Sequence, residues 1–194
     1  MPSRVFERVK PASAYQRVKD EAYPTPPWVA RAVLQYMPKG EVIWEPAAGA
    51  GRLVRAMRRA GREVISTRSD FLKRKAIPYN ATSIVTNPPY GKGGRLAVAF
   101  IEHALALMHR NQFDADITMV AMLLRIDFDS ARGRAHLFRD CKEWSRKIVL
   151  LDRVLWFPNA DGVMPSTNHA WFIWTKYRRT PPVISYAGKD DAER

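Results

Sequence analysis

The sequence holds one cysteine, Cys141, in 194 residues. An internal disulfide and a cysteine-built zinc site are therefore excluded, which agrees with a reducing cytoplasm, and inert burial is the ordinary state of such a thiol. No apolar run reaches the length of about eighteen residues that reads as a membrane span. The N-terminal residues Met1 to Arg8 lack an apolar signal region, so nothing marks export and the expected location is cytoplasmic. Histidines and carboxylates do not gather at ligand spacing, so no metal is expected. Internal repeats and low-complexity segments are absent as well, and no long extra segment could form a separate recognition domain. Acidic residues are in short supply: 19 Asp and Glu against 32 Lys and Arg leave a formal charge of +13. Such an excess favours a polyanionic partner, because many phosphate contacts are gained together.

What remains is the length of one domain, with 46% apolar residues, enough for a sizeable core. Residues 1–22 are polar, basic and unpatterned and read as an N-terminal arm. Residues 23–177 alternate strand and helix patterns, as an α/β domain does. Pro26 and Pro27 open a helix to about Tyr36, with Val29, Val33, Leu34 and Met37 on its buried side, and Pro38-Lys39-Gly40 ends it. Short strands are expected at 42–45, 63–67 and 83–86, and a long helix over about 96–109. The almost wholly apolar 117–124 reads as a central strand covered on both sides. Two more strands are expected at 148–154 and 170–175. Residues 178–194 turn to Arg, Pro, Gly and Asp and read as a weakly ordered tail.

Two motifs carry chemistry. The strand Val42-Ile43-Trp44 runs into Glu45-Pro46-Ala47-Ala48-Gly49-Ala50-Gly51 and then into the helix former Arg52 to Met57. A strand, a glycine turn and a helix start make a nucleotide-type pocket, since glycines let a ligand approach the backbone and the helix start exposes free N–H groups. Val54 stands where the dinucleotide fingerprint needs its third glycine, so that fingerprint is not met. The second motif, Asn87-Pro88-Pro89-Tyr90, follows the apolar run 83–86. An exocyclic amine is a poor nucleophile because its lone pair is spread into the ring. The Asn87 side-chain oxygen and the Pro88 carbonyl can accept its two hydrogens, Pro88 and Pro89 stiffen the loop, and Tyr90 offers a flat face for a base. Read alone, the tetrapeptide is equally a turn that ends a buried strand.

Together these motifs resemble the S-adenosylmethionine-dependent N6-adenine DNA methyltransferases, in the arrangement where the cofactor motifs precede the catalytic one. Glu45 to Gly51 is similar to the family's Glu-Pro-x-x-Gly-x-Gly cofactor loop, and Asn87 to Tyr90 to its catalytic loop. Tyr23-Pro24-Thr25-Pro26-Pro27-Trp28 resembles the N-terminal segment that closes over the methionine part of the cofactor. Asp70-Phe71-Leu72 resembles the motif whose aspartate accepts from the cofactor's adenine amine. The resemblance implies a Rossmann-like class I methyltransferase domain over 23–177, with a mostly parallel seven-stranded sheet, helices on both faces and an antiparallel C-terminal hairpin at one edge. It further implies S-adenosyl-L-methionine as cofactor, bound by Tyr23, Thr25, Pro26, Glu45, Pro46, Ala47, Gly49, Gly51, Asp70, Phe71 and Asn87. Asn87, Pro88, Pro89 and Tyr90 would hold a flipped adenine. Asp70 also reads as a simple loop cap.

One departure from the family is visible. The acid that normally ends the second strand and binds the ribose hydroxyls is replaced here by Val64-Ile65-Ser66-Thr67 followed by Arg68, and the helix between that strand and Asp70 is missing. On the substrate side, Arg125, Arg132 and Arg134 follow the central strand and Asn168 and His169 precede the last one, all candidate nucleic-acid contacts. The arginines also read as an ordinary loop neutralised by Asp127 and Asp129, and His169 as a structural histidine. Arg52, Arg55, Arg59 and Arg62 fall on one helical face, either solvated or against nucleic acid. The expected activity is methyl transfer to adenine N6 in DNA. The alternatives are adenine in RNA, a protein glutamine amide, and a nucleic-acid-binding module with a vestigial cofactor pocket.

Overall fold

A computed structural model of the chain describes residues 25–67, 69–110, 112–156 and 167–191. The N-terminal arm of residues 1–22 lies outside them. The elements are α1 (Pro27–Leu34), β1 (Val42–Glu45), α2 (Arg52–Arg59), β2 (Glu63–Ser66), β3 (Ser83–Thr86), α3 (Arg95–Met108), β4 (Met119–Arg125), β5 (Trp144–Leu150), β6 (His169–Thr175) and β7 (Val183–Ala187). The strands form one seven-stranded sheet in the order β2-β1-β3-β4-β6-β5-β7. Only β6 runs against its neighbours; every other pairing is parallel. This is the Rossmann-like α/β class expected from the alternation of patterns.

Alternation along each strand divides the core in two. Ile43, Val85, Leu123, Trp171 and Ile173 face α1 and α2, where Val29, Val33 and Met57 meet them. Trp44, Ile84, Val120, Met122, Phe172 and Trp174 face α3 through Phe100, Ile101 and Ala104. Each such side chain, fully buried, contributes about 1.5–3 kcal/mol from the removal of apolar surface. The buried indoles are satisfied: Trp171 Nε1 donates to the Val29 carbonyl at 2.8 Å and Trp174 Nε1 to the Leu137 carbonyl at 2.7 Å. In β4 only Arg125 reaches the surface, as a strand covered on both faces requires.

Pro26, extended, and Pro27 at the first helical position start α1. Its end is held from outside: the Arg62 guanidinium donates to the carbonyls of Leu34, Met37 and Pro38 at 2.9, 2.9 and 2.6 Å. Arg62 thus lies beyond α2 and caps a neighbouring helix, and Arg55 of the same stripe donates to the Ala50 carbonyl. Arg52 and Arg59 are exposed.

Three boundaries differ from the sequence reading. β5 begins at Trp144 and ends at Leu150, earlier than the apolar run implied. Its first half is disguised by Arg146 and Lys147, whose cations rest over the rings of Tyr36 and Phe172. Residues 183–187, whose composition read as tail, form β7 in parallel register with β5, from Arg146 opposite Val183 to Leu150 opposite Ala187. The antiparallel pair β5 and β6 therefore exists, but β7 rather than β5 is the outer strand. Between β2 and β3 the described residues hold one short 3-10 turn, Phe71–Lys73, and no helix, as the sequence spacing implied.

Candidate active site

The chain leaves β1 for α2 on one face of the sheet and leaves β3 for α3 on the other, while β1 and β3 are direct neighbours. Connections that diverge this way open a crevice at the carboxyl ends of the two strands, the position where open α/β sheets take ligands. Glu45 to Gly51 leaves the first strand there and Asn87 to Tyr90 the second.

Glu45 is 1% exposed. Its Oε1 accepts from the Thr86 hydroxyl at 2.6 Å and from the Ala47 N–H at 2.9 Å. Burial pushes its carboxyl up to about 8, against the opposing pull of those two bonds. Pro46 is buried and Ala47 half-buried behind it. Gly49 and Gly51, at φ +47° and +72°, occupy the left-handed region and carry the chain through a tight turn closed by the Gly51 N–H on the Ala48 carbonyl at 2.6 Å. α2 starts directly after it, so its first N–H groups border the crevice.

Thr25, buried at the entry to α1, accepts from the Asn87 side-chain amide at 3.4 Å. Pro26 is half-buried beside it, and Tyr23 lies outside the described residues. Pro88 is buried, and Pro89 and Tyr90 are half-buried. The Tyr90 hydroxyl donates to the Leu123 carbonyl of β4 at 3.1 Å, which fixes the ring from its far end. Its own carbonyl accepts from Leu96 and Ala97 at the start of α3. Gly91 at φ +64° permits this folding-back, since a Cβ there would stand 2.9 Å from the Leu96 Cβ.

Asp70 is exposed, caps the turn by accepting from the Leu72 N–H at 3.1 Å, and pairs with Lys73 at 3.4 Å. Phe71 is 2% exposed and packs against Trp44, Phe100 and His103, with ring centroids 5.4, 5.0 and 4.7 Å away. It anchors the segment while Asp70 meets solvent. At the end of β2 Thr67 accepts from the Trp44 indole at 3.1 Å. Arg68 lies outside the described residues.

Register carries the same edge to the last strands, because Arg125 ends β4 opposite His169, the first residue of β6. His169 is 5% exposed and lies edge-on to Trp156, with ring centroids 5.1 Å apart. Burial first, and the Arg125 charge second, lower its pKa to about 4, so the imidazole is neutral at pH 7. Asn168 is exposed and gives its carbonyl to the Ile126 N–H. Arg125 makes a two-bond pair with Asp127 at 3.2 and 3.0 Å. Arg134 is spent internally, donating to the carbonyls of Phe128 and Gly93, each at 2.9 Å, and stacking 3.8 Å over the Phe128 ring. Arg132 is exposed.

Sequence reading missed Thr86 and the Leu123 carbonyl, which tie the two motif loops to each other and to β4. Thr86 had a signal, since a hydroxyl in a strand buried at every position most often finds a partner, although Ser83 Oγ of the same strand has none among the described residues. Leu123 had none, because a backbone acceptor is the same at every residue.

No protein-family profile matches the chain, and no curated protein matches it. Among solved structures it is similar to a dimethyladenosine transferase from Plasmodium falciparum, at 12% identity and a TM-score of 0.43 over 78% of this chain and 62% of that one. It is also similar to a mutant of Spodoptera frugiperda DNMT2, at 14% identity and a TM-score of 0.42 over 85% of this chain and 53% of that one. The chain spans less than two thirds of either neighbour's length. Likenesses this remote bear on neither activity nor substrate, and the fold class rests on the strand order and crossovers described above.

Proposed function

We propose that this protein is an S-adenosyl-L-methionine-dependent methyltransferase that acts on the N6 amine of adenine in DNA. The observation that carries the reading is the meeting of two loops at one switch point: Glu45 to Gly51 at the end of β1 and Asn87 to Tyr90 at the end of β3, joined by the 2.6 Å Thr86–Glu45 bond. The residues fit such a cofactor. A left-handed glycine turn leaves the backbone open to approach, and a buried carboxyl that burial keeps near neutrality is ready to ionise against a cationic group. When bound, the cofactor supplies a methyl group on a positively charged sulfur.

The chain's own residues do the rest. Asn87 Oδ1 and the Pro88 carbonyl accept the two amine hydrogens of an extruded adenine and hold its lone pair in one direction. Tyr90, pinned at its hydroxyl by Leu123, presents a ring whose tilt is set before the base arrives. The methylated amine is acidic and gives its extra proton to water, so no strong base is required, and neutral His169 is not called on for that step. The net charge of +13 supports a nucleic acid over a protein amide as the carrier of the acceptor amine. No helix among the described residues is long and apolar enough to cross a membrane.

The test is incubation with labelled S-adenosylmethionine and unmethylated DNA, then digestion and mass analysis for N6-methyldeoxyadenosine, with RNA in a parallel arm. Product in DNA supports the reading. Product in RNA alone moves the substrate, and labelling of neither refutes nucleic-acid methylation.

A further inference from the structure

Beside the Asn87–Tyr90 loop the chain passes through Gly91, Lys92, Gly93 and Gly94 into Arg95, the first residue of α3. A second loop, residues 126–137, follows β4 at the same edge of the sheet. Arg134 fastens the two together, because its guanidinium bonds the Phe128 carbonyl of its own loop and the Gly93 carbonyl of the other. Gly94 is part of this seam, since a Cβ there would stand 2.8 Å from Arg134 Nη2 and 3.2 Å from the Phe128 ring. Lys92, Arg95 and Arg132, each within two residues of the seam, are therefore carried on one continuous rim.

The charges on that rim are unequally occupied. Asp127 is taken by Arg125 and Asp129 by Lys147, at 2.9 Å. Both acids of the second loop are thus neutralised by cations other than the three on the rim. Lys92, Arg95 and Arg132 are exposed and have neither an ion pair nor a side-chain hydrogen bond among the described residues. Other cations are engaged, Arg58, Arg62 and Arg134 on carbonyls, Arg139 on Asp140 and Lys176 on Asp116, while Lys39, Arg110 and Arg179, exposed like the rim cations, lie away from the Asn87–Tyr90 loop. Three unneutralised cations on two loops that Arg134 fastens together, next to the Asn87–Tyr90 loop, suit a polyanion, whose charges are many, better than a single small anion.

We infer that Lys92, Arg95 and Arg132, clipped into one rim by Arg134, form the surface that grips the phosphodiester backbone of the nucleic-acid substrate next to the extruded base. This rests on the proposed function for the nature of the substrate. It moves the backbone contacts away from Arg125 and Arg134, which are committed to Asp127 and to the loop seam, and onto Lys92 and Arg95, which sequence reading had passed over.

The experiment is a binding titration of the full chain against fluorescent duplex DNA, single-stranded DNA and RNA at several salt concentrations. The parent is compared with Lys92→Gln/Arg95→Gln/Arg132→Gln and with a control triple on the opposite edge of the sheet, Lys39→Gln/Arg110→Gln/Arg179→Gln. Loss of three phosphate contacts lowers the slope of log affinity against log salt by about 2.7 for a duplex, and affinity near 0.1 M salt falls roughly a hundredfold. S-adenosylmethionine binding, read in parallel, stays unchanged in both triples and shows that the variants fold. Arg134→Lys, which keeps the charge but loses the fork that bonds both the Phe128 and Gly93 carbonyls, gives an intermediate loss. The inference is overturned if the rim triple keeps the parent's slope, or if the control triple loses as much. Binding through the rim without methyl transfer would leave this inference standing and sink the proposed activity, whereas methyl transfer into DNA with an unaltered rim triple would do the reverse.

Discussion

Thr86 donates its hydroxyl hydrogen to Glu45 Oε1 over 2.6 Å, and through that bond the last residue of β3 sets the carboxyl at the end of β1. The two residues stand forty-one positions apart; Glu45 opens one motif loop and Thr86 directly precedes the other. The bond ties the roots of the two loops together.

Thr86→Val keeps the shape and removes the donor. Leaving a buried carboxyl oxygen with one partner fewer costs about 1–3 kcal/mol. Chemical denaturation should show that loss, together with weaker cofactor binding, and Thr86→Ser should restore most of both.

Glu45 makes stability depend on pH. Its folded-state pKa of about 8 lies above the unfolded value of 4.5, so between those limits the folded protein holds the extra proton. Stability therefore falls as pH rises from 4.5 to 8, with a slope of up to about 1.4 kcal/mol per unit for one proton. Denaturation midpoints at a series of pH values should lose that slope in Glu45→Gln. S-adenosylmethionine affinity in the parent should climb with pH toward 8, because ionised Glu45 attracts a cationic ligand, and Glu45→Gln should flatten that climb as well.

His169 acts with the opposite sign. Its folded pKa of about 4 lies below the unfolded 6.5, so the unfolded chain takes up the proton first and stability is lost as pH falls from 6.5 to 4. The shift corresponds to about 3 kcal/mol at the acid end. His169→Gln should remove that acid sensitivity, measured by the same denaturation series, while leaving the pH profile of turnover above pH 6 unaltered.

Asn87→Ala should cut turnover by about a hundredfold or more, the scale for losing one aimed acceptor, while S-adenosylmethionine affinity stays near the parent's. Single-turnover kinetics separate the two. If the variant kept near-normal turnover, the role assigned to Asn87 would be wrong.

Tyr90→Phe keeps the ring and removes the bond to Leu123. Turnover should fall by several-fold as the ring loses its fixed tilt, whereas Tyr90→Ala, which also removes the stacking face, should lose at least tenfold more. Enhanced fluorescence of 2-aminopurine at the target position would report whether the base still leaves the stack in each variant.

Periodicity and turn chemistry made most of the fold legible. α1, β1, β3 and α3 were readable to within about two residues, because their apolar positions repeat at 3.6 or fill a buried strand and because Pro and Gly mark their ends. β7 was not, since Val183, Ile184 and Tyr186 stay exposed and only pairing with β5 makes a strand of them. β5 was misread at its start because Arg146 and Lys147 lie along aromatic faces, a use of long cationic stems that no hydropathy pattern reveals.

By itself the sequence determined the local chemistry: a glycine turn after one strand, a proline-stiffened Asn and Tyr after another, and a surplus of cations. These follow from neighbours along the chain, where covalent geometry and propensity dominate. Tertiary structure alone decided which groups meet. It put Thr86 on Glu45, Leu123 under Tyr90 and Arg125 opposite His169, and it sorted the cations into those spent on carbonyls and carboxylates and those left facing solvent. Such pairings depend on strand order and register, which bring residues from 33 to 44 positions apart together, and no local pattern in the chain encodes a distance of that kind.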